Sequence, residues 1–278
     1  MTALQLPQSR LSQRLQHVRE LNRGALVSFI TAGDPDPAIS AKLLARLPAA
    51  GADIIELGMP FSDPMADGPS IQASSQRALN AGMTLPKTLS LVSQFRQADD
   101  QTPIILMGYF NPIYRYGPKT FVDDALDAGV DGLIIVDLPP EEDDELCQPA
   151  LTAGLHWIRL ITPTTNETRM TTVLKNTCVF VYYVSITGIT GSLAVAVDSV
   201  RSAVNRLRHH TDLPVAVGFG IRESEQVRSI IEVADAAVVG SALVDRIADG
   251  LSQEKPDSVI IESVLELVSK LASGLHRT

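Results

Sequence analysis

Cysteine is nearly absent: the 278 residues contain only two, Cys147 and Cys178. Two cysteines in a chain of this length build neither a disulfide framework nor a zinc site, and they suit a reducing cytoplasm. Long apolar runs are missing as well. The longest, around Val179–Ile186, falls far short of the roughly 18–20 residues that a membrane span requires. The N-terminus has no apolar core of a secretory signal. Basic charge is in deficit. The formal net charge of −9 argues against a nucleic-acid footprint and favours solubility.

What is present reads as an ordinary globular protein. The apolar fraction is 45%, and below roughly 300 residues one hydrophobic core can serve a whole chain, so a single domain over 1–278 is expected. Arg10, Arg14, Arg19 and Arg23, with few acids among them, carry a faint transit-segment composition. Leu11, Leu15, Val18 and Leu21 at helical spacing offer a simpler reading, an amphipathic first helix, which is preferred.

Short apolar runs alternate with longer amphipathic segments. The expected strands are Ala25–Ala32, Asp53–Leu57, Pro103–Met107, Gly132–Val136, Leu155–Ile161, Val179–Val184, Pro214–Phe219 and Ala236–Val239. Most are continuously apolar, as parallel strands covered on both faces are. Helical patterns lie between them, for example Ala38–Ala50, Lys119–Ala128 and Ser224–Val233, and Gly240–Gly250 and Ser258–Ala272 close the chain. Asp36-Pro37 supplies an N-cap and a proline at the first helical position. Eight βα units in about 250 residues predict an α/β protein of the (β/α)8 TIM-barrel type with an extra N-terminal helix. A doubly wound open sheet is the alternative that such alternation leaves open.

A TIM barrel carries its chemistry at the C-terminal ends of its strands. The second strand ends in Glu56, an acid inside an apolar run. Burial there raises a carboxyl pKa toward neutrality, which suits a general acid/base, though a loop-capping role is equally compatible with the strand alone. A stiff loop with three prolines follows, and it gives Asp67 a fixed place above the barrel mouth. Spacing alone assigns Asp63 a structural role and leaves Asp67 open. The seventh strand ends Gly218-Phe219-Gly220, and the eighth runs into Gly240-Ser241 at a helix start. That pairing predicts a phosphate site, because glycines admit close backbone approach and a helix N-terminus favours an anion. A third Gly-rich turn, Ser185–Gly191, reads as a lid.

Other chemistries lack their residues. None of the six lysines (Lys42, Lys87, Lys119, Lys175, Lys255 and Lys270) ends an expected strand, which removes a Schiff-base aldolase. His209 and His210 sit where a helix ends and His156 starts a strand, so no metal-aldolase ligand set forms and no metal is expected. No serine or cysteine nucleophile has a base at hand, and no dinucleotide fingerprint precedes a helix. Carboxylate acid/base chemistry on a phosphorylated substrate remains.

Phe29-Ile30-Thr31-Ala32-Gly33-Asp34-Pro35, Glu56-Leu57-Gly58-Met59-Pro60-Phe61-Ser62-Asp63-Pro64, Ala66-Asp67-Gly68-Pro69, Met107-Gly108-Tyr109-Phe110-Asn111-Pro112, Gly188-Ile189-Thr190-Gly191 and Gly218-Phe219-Gly220-Ile221 together resemble the tryptophan synthase α subunit family. The resemblance runs in order from about Ser12 to Ile247. It departs in a longer N-terminus and in Ile186, where some members carry an arginine. The resemblance implies a lyase of tryptophan biosynthesis that cleaves indole-3-glycerol phosphate by retro-aldol chemistry to indole and glyceraldehyde 3-phosphate. It implies Glu56 as the proton shuttle and Asp67 as acceptor of the indole N–H. It further implies an indole slot of Phe29, Met107, Tyr109, Ile134, Ile161, Tyr182 and Val184. Gly191, Gly220, Gly240 and Ser241 would hold the phosphate, and Thr190 would tie the lid to Asp67. The implied partner is a β subunit in an αββα heterotetramer, met through Pro60, Asp63, Asn111 and Pro139. Pyridoxal phosphate is expected only in that β subunit, so this chain is expected to need no cofactor. A free-standing lyase of the same chemistry is the rival reading, separated by the activity of the chain alone.

Overall fold

The computed structural model describes residues 9–185, 193–218 and 220–277. Nine parallel strand segments form one sheet: β1 Ala25–Thr31, β2 Ile54–Gly58, β3 Ile104–Gly108, β4 Gly132–Ile135, β5 His156–Trp157, β6 Leu160–Ile161, β7 Val181–Val184, β8 Val215–Gly218 and β9 Ala236–Val239. Their spatial order is β5-β4-β3-β2-β1-β9-β8-β7-β6. The two segments at the ends of that order are consecutive in the chain. Between them, the Ile158 N–H bonds the Leu133 carbonyl at 3.0 Å, and the Arg159 carbonyl accepts the Tyr182 N–H at 3.1 Å. One stretch therefore serves β4 and then β7, and the sheet closes into a barrel of eight staves.

The expected fifth strand is this interrupted stretch. The expected sixth begins later than the apolar run, at Val181, because Val179 takes φ +67°. A β-branched residue adopts that left-handed backbone only under constraint, and it breaks an extended run. The helices are α1 Arg10–Glu20, α2 Pro37–Ala50, α3 Pro69–Asn80, α4 Leu85–Arg96, α5 Phe110–Tyr116, α6 Pro118–Ala128, α7 Cys147–Ala153, α8 Glu167–Leu174, α9 Leu193–Arg208, α10 Ser224–Ile231, α11 Ser241–Ser252 and α12 Asp257–Ala272. A short 3-10 turn, Pro140–Glu145, precedes α7. Asp36 caps α2 as its sequence signature predicts, accepting the N–H groups of Ala38 and Ile39 at 2.8 and 3.0 Å.

Strand periodicity of two sorts the core into two layers. Val27, Ile54, Ile105, Ile134, Ile158, Ala216 and Val238 fill the barrel interior. Leu26, Ile55, Leu57, Leu106, Leu133, Trp157 and Val217 point outward and pack under the helices. Leu11, Leu15 and Val18 of α1 join the interior layer, so the first helix plugs the N-terminal opening of the barrel. Each such buried branched side chain stabilises by about 1.5–3 kcal/mol.

The same end is stapled by acids that precede strands. Asp53, Asp131 and Asp235 accept the backbone N–H groups of Leu26, Ile104 and Val215 at 3.0, 2.8 and 2.9 Å. Arginines hold each acid: Arg23 on Asp53 at 2.6 Å, Arg10 and Arg96 on Asp131 at 2.7 Å each, and Arg208 and Arg277 on Asp235 at 3.6 and 3.5 Å. Of the arginines early in the sequence, Arg10, Arg14 and Arg23 thus have structural partners. In a TIM barrel this end carries stability, and the opposite end is free for chemistry.

Candidate active site

The alternation that turns Ile54 inward and Ile55 outward also turns Glu56 inward. Its carboxyl is 1% exposed, and Oε1 has no hydrogen-bond partner among the described residues. Burial without compensation pushes its pKa up to about 8. The group is therefore predominantly protonated at neutral pH. Tyr182, from β7, is also raised, first by burial and then by the nearby Glu56 charge.

Asp67 enters from the loop between β2 and α3 and is half-buried. Burial raises its pKa to about 6, while a hydrogen bond from the Tyr109 hydroxyl opposes the rise. The same hydroxyl accepts the Ala66 N–H at 3.0 Å, and the Tyr109 ring lies 5.4 Å from that of Phe61. The β2 loop is thus anchored at three points to the end of β3. Tyr109 is in turn the N-cap of α5, and Asp137, from the loop after β4, accepts the Phe110 N–H at 2.8 Å.

Glu56 and Asp67 line one cavity of about 200 Å³, together with Phe29, Met107, Tyr182 and Val184. A small adjoining recess of about 20 Å³ adds Tyr109 and shares Phe29, Asp67 and Met107. The far end of the main cavity is lined by Gly220, Gly240 and Ser241, where α11 begins. The first turn of a helix leaves N–H groups without intrahelical acceptors, so this end suits an anion. Gly220 sits at φ +63°, a backbone that glycine adopts without strain. At Gly218 a Cβ would stand 2.7 Å from the Tyr182 hydroxyl, so the glycine makes room for that ring. A larger cavity, about 580 Å³, opens at the stapled end among Arg19, Arg23, Pro214 and Asp235. Size does not decide between them. Of the carboxylates there, Asp235 is engaged with arginines, whereas in the smaller cavity Glu56 keeps an oxygen without a partner.

The structure does not gather every expected residue. Ile161 packs in the outer layer, and Leu160 is its inward-facing neighbour. A shift of one residue along a strand flips the face, and neither Leu160 nor Ile161 lines the cavity. Ile134 is inward but lies within the interior core and does not line the cavity. Thr190 and Gly191 lie outside the described residues. Pro60, Asp63, Asn111 and Pro139 follow β2, β3 and β4 on the site's end of the barrel; Pro60 is half-buried and the other three are exposed. Two large apolar side chains on the same face escaped the sequence reading, Met65 in the β2 loop at 84% exposure and Tyr114 on α5 at 65%. Ile71, Arg222 and Asp137 were missed as well. Arg222 stands directly after the glycine motif of the seventh expected strand, the one signal that could have found it.

Outside the site, His156 is buried, its pKa pushed down to about 4 by desolvation, with Nδ1 3.6 Å from Cys178 Sγ. The thiols of Cys147 and Cys178 are raised to about 12 and 11, chiefly by burial, and both cysteines are free. These groups are structural. Among the described residues no helix is long and apolar enough to cross a membrane.

Comparison with known proteins matches the chain over nearly its whole length. The family model described as tryptophan synthase alpha chain matches residues 15–275. The chain is similar to the solved tryptophan synthase subunit alpha of Legionella pneumophila str. Paris at 36% identity and TM-score 0.87, covering 96% of this chain and 98% of that one. A solved chain from Aquifex aeolicus VF5 is 35% identical with TM-score 0.87, over 97% and 100% of the two chains. A chain of M. tuberculosis tryptophan synthase, in an open form with BRD0059 bound, is 31% identical with TM-score 0.86, over 98% and 100%.

Proposed function

The chain belongs to the tryptophan synthase alpha chain family, a lyase of tryptophan biosynthesis that cleaves indole-3-glycerol phosphate to indole and glyceraldehyde 3-phosphate, and from that premise we propose which of its residues carry the reaction. The observation that carries the proposal is the Glu56/Asp67 pair: two carboxyls on one cavity, raised to about 8 and about 6. At neutral pH one is an acid and the other an anion, which is how carboxyl pairs divide acid/base roles.

The substrate's phosphate occupies the end formed by Gly220, Gly240 and Ser241, and the indole ring lies among Phe29, Met107, Tyr109, Tyr182 and Val184. The ionised Asp67 accepts the indole N–H and balances the positive charge that develops on the ring. Protonated Glu56 gives its proton to indole C3. The resulting carboxylate then takes the proton of the side-chain hydroxyl as the C–C bond breaks. The bonding electrons return to the ring, the hydroxyl carbon becomes the aldehyde, and Glu56 ends protonated as it began. No proton is consumed, and the reaction proceeds through this chain's own residues without a cofactor.

The exposed loops beyond β2, β3 and β4 form the face for a β subunit of an αββα assembly, with pyridoxal phosphate belonging to β. Pro60, Asp63, Asn111 and Pro139 mark that face, and Met65 and Tyr114 add apolar area to it. A partner that orders the β2 loop fixes Asp67, and by linkage the substrate tightens the partner equally. We read 1–278 as one domain of a cytoplasmic enzyme. The pH profile of kcat/KM tests the pair: it should rise through about 6 and fall through about 8. A flat profile across that range would remove the division of roles.

A further inference from the structure

The cavity has a charge imbalance at its phosphate end. A phosphate monoester carries about −1.5 to −2 at neutral pH. Asp67, ionised above about 6, adds a negative charge to the same cavity. The N-terminus of α11 offers the equivalent of only about half a positive charge. The chain's net charge of −9 gives no compensating field. Among the described residues that line the cavity, Arg222 is the single cation.

Its position is built. The Arg222 N–H donates to Gln226 Oε1 at 2.7 Å, which fixes the backbone at the start of α10. Its Nη2 donates to Asp245 Oδ2 at 2.6 Å. Asp245 lies on α11, one turn beyond Ser241, so the ion pair holds the guanidinium beside the helix end that faces the cavity. A guanidinium presents five N–H donors in a fixed fork, enough to serve a carboxylate and a phosphate together.

We propose that Arg222 is a further substrate-binding residue, supplying a side-chain positive charge to the substrate's phosphate, with Asp245 as the group that parks it at the cavity mouth. The proposal rests on the placement of the phosphate at Gly220, Gly240 and Ser241. Arg222 meets the non-reacting end of the substrate, so it contributes to ground state and transition state alike and acts on KM rather than kcat.

The test uses the full-length chain with glycerol 3-phosphate and, separately, indole as calorimetric probes. Arg222→Gln should weaken glycerol 3-phosphate roughly three- to tenfold, as expected for an exposed charge-assisted contact. It should flatten the salt dependence of that binding and leave indole binding unchanged. KM for indole-3-glycerol phosphate should rise by a similar factor, with kcat within about twofold. Asp245→Asn should tighten glycerol 3-phosphate, and the gain should shrink when Arg222→Gln is also present. Unchanged glycerol 3-phosphate affinity in Arg222→Gln, or an equal loss for indole, overturns the proposal. Gly240→Val separates the two levels. If it abolishes glycerol 3-phosphate binding while Arg222→Gln does nothing, the phosphate site stands and the role of Arg222 falls. If Gly240→Val also binds normally, the placement of the phosphate itself is wrong.

Discussion

The Tyr109 hydroxyl joins two groups of the β2 loop at once, accepting the Ala66 N–H at 3.0 Å and hydrogen-bonding the Asp67 carboxylate. A residue at the end of β3 thereby sets both the position and the ionisation of an acid carried by a different strand's loop. Asp137, through the Phe110 N–H, extends the same support to the loop after β4.

Tyr109→Phe removes the hydroxyl and little else. The Asp67 carboxylate loses a donor that lowers its pKa, so the acid limb of kcat/KM should move above its value of about 6. The substrate's phosphate also titrates near pH 6, but that limb cannot respond to Tyr109. Rates for the variant and parent, measured from pH 5 to 9, check this. An unmoved acid limb means that Tyr109 does not tune Asp67.

Asp67→Asn keeps the shape and removes the counter-charge for the ring. Turnover should fall roughly 10²–10³-fold, the range seen when a preorganised electrostatic group is lost. Binding of glycerol 3-phosphate should persist. A variant with more than a tenth of parental kcat would remove Asp67 as the counter-charge for the ring.

Glu56→Gln should stabilise the fold at alkaline pH. The folded-state pKa of about 8 exceeds the usual value of 4.5, so between those limits the native state holds a proton that the unfolded state has released. The parent therefore loses stability as pH rises from about 4.5 to 8 and levels off above. The glutamine has no such loss. Denaturant unfolding at pH 5 and pH 9 should show the variant gaining on the parent by a few kcal/mol over that interval, at most about 1.4 per pH unit. A constant difference at both pH values would mean that Glu56 is not buried and protonated.

Asp131→Ala probes the opposite end of the barrel. The acid holds the Ile104 N–H, Arg10 and Arg96, and its removal takes the carboxylate from two guanidinium groups, which keep only carbonyl acceptors, and leaves the Ile104 N–H without its acceptor. Because Arg10 remains partly in water, the cost should be on the order of 2–4 kcal/mol, somewhat below that for a fully buried pair. With the site at the far end, kcat should stay within about twofold. A large kcat loss without destabilisation would contradict the division of stability and chemistry between the two ends.

The partner reading predicts low indole release from the chain alone, a large increase with a cognate β subunit, and a smaller increase for Asp63→Ala. Full activity alone, unchanged by saturating β, would point to a free-standing lyase.

The legible parts of this molecule are those where chemistry and periodicity coincide. Continuous apolar runs marked the staves, Asp36-Pro37 marked α2, and an acid inside Ile54–Gly58 marked Glu56, because an unpaired carboxyl in such a run is costly. Strand parity was less readable. Ile161 and Leu160 are both apolar, so only the closed register shows which one faces inward. The interruption at Ile158-Arg159 was equally hidden, since a residue bonded alternately to two neighbours looks like any strand residue in sequence. Asp137 and Met65 carry no local signal beyond being loop residues, and Arg222 only its place after the glycine motif. Their roles arise from what the barrel brings beside them.

The most direct measurement is indole release by Glu56→Gln under saturating indole-3-glycerol phosphate, paired with calorimetric binding of glycerol 3-phosphate to the same preparation. The amide keeps the size and polarity of the side chain but can neither deliver nor accept the proton, and one group serves two steps. The rate should therefore fall by roughly 10⁴-fold or more while glycerol 3-phosphate still binds. Near-parental indole release by Glu56→Gln with binding intact would contradict the assignment of Glu56 as the group that moves the proton.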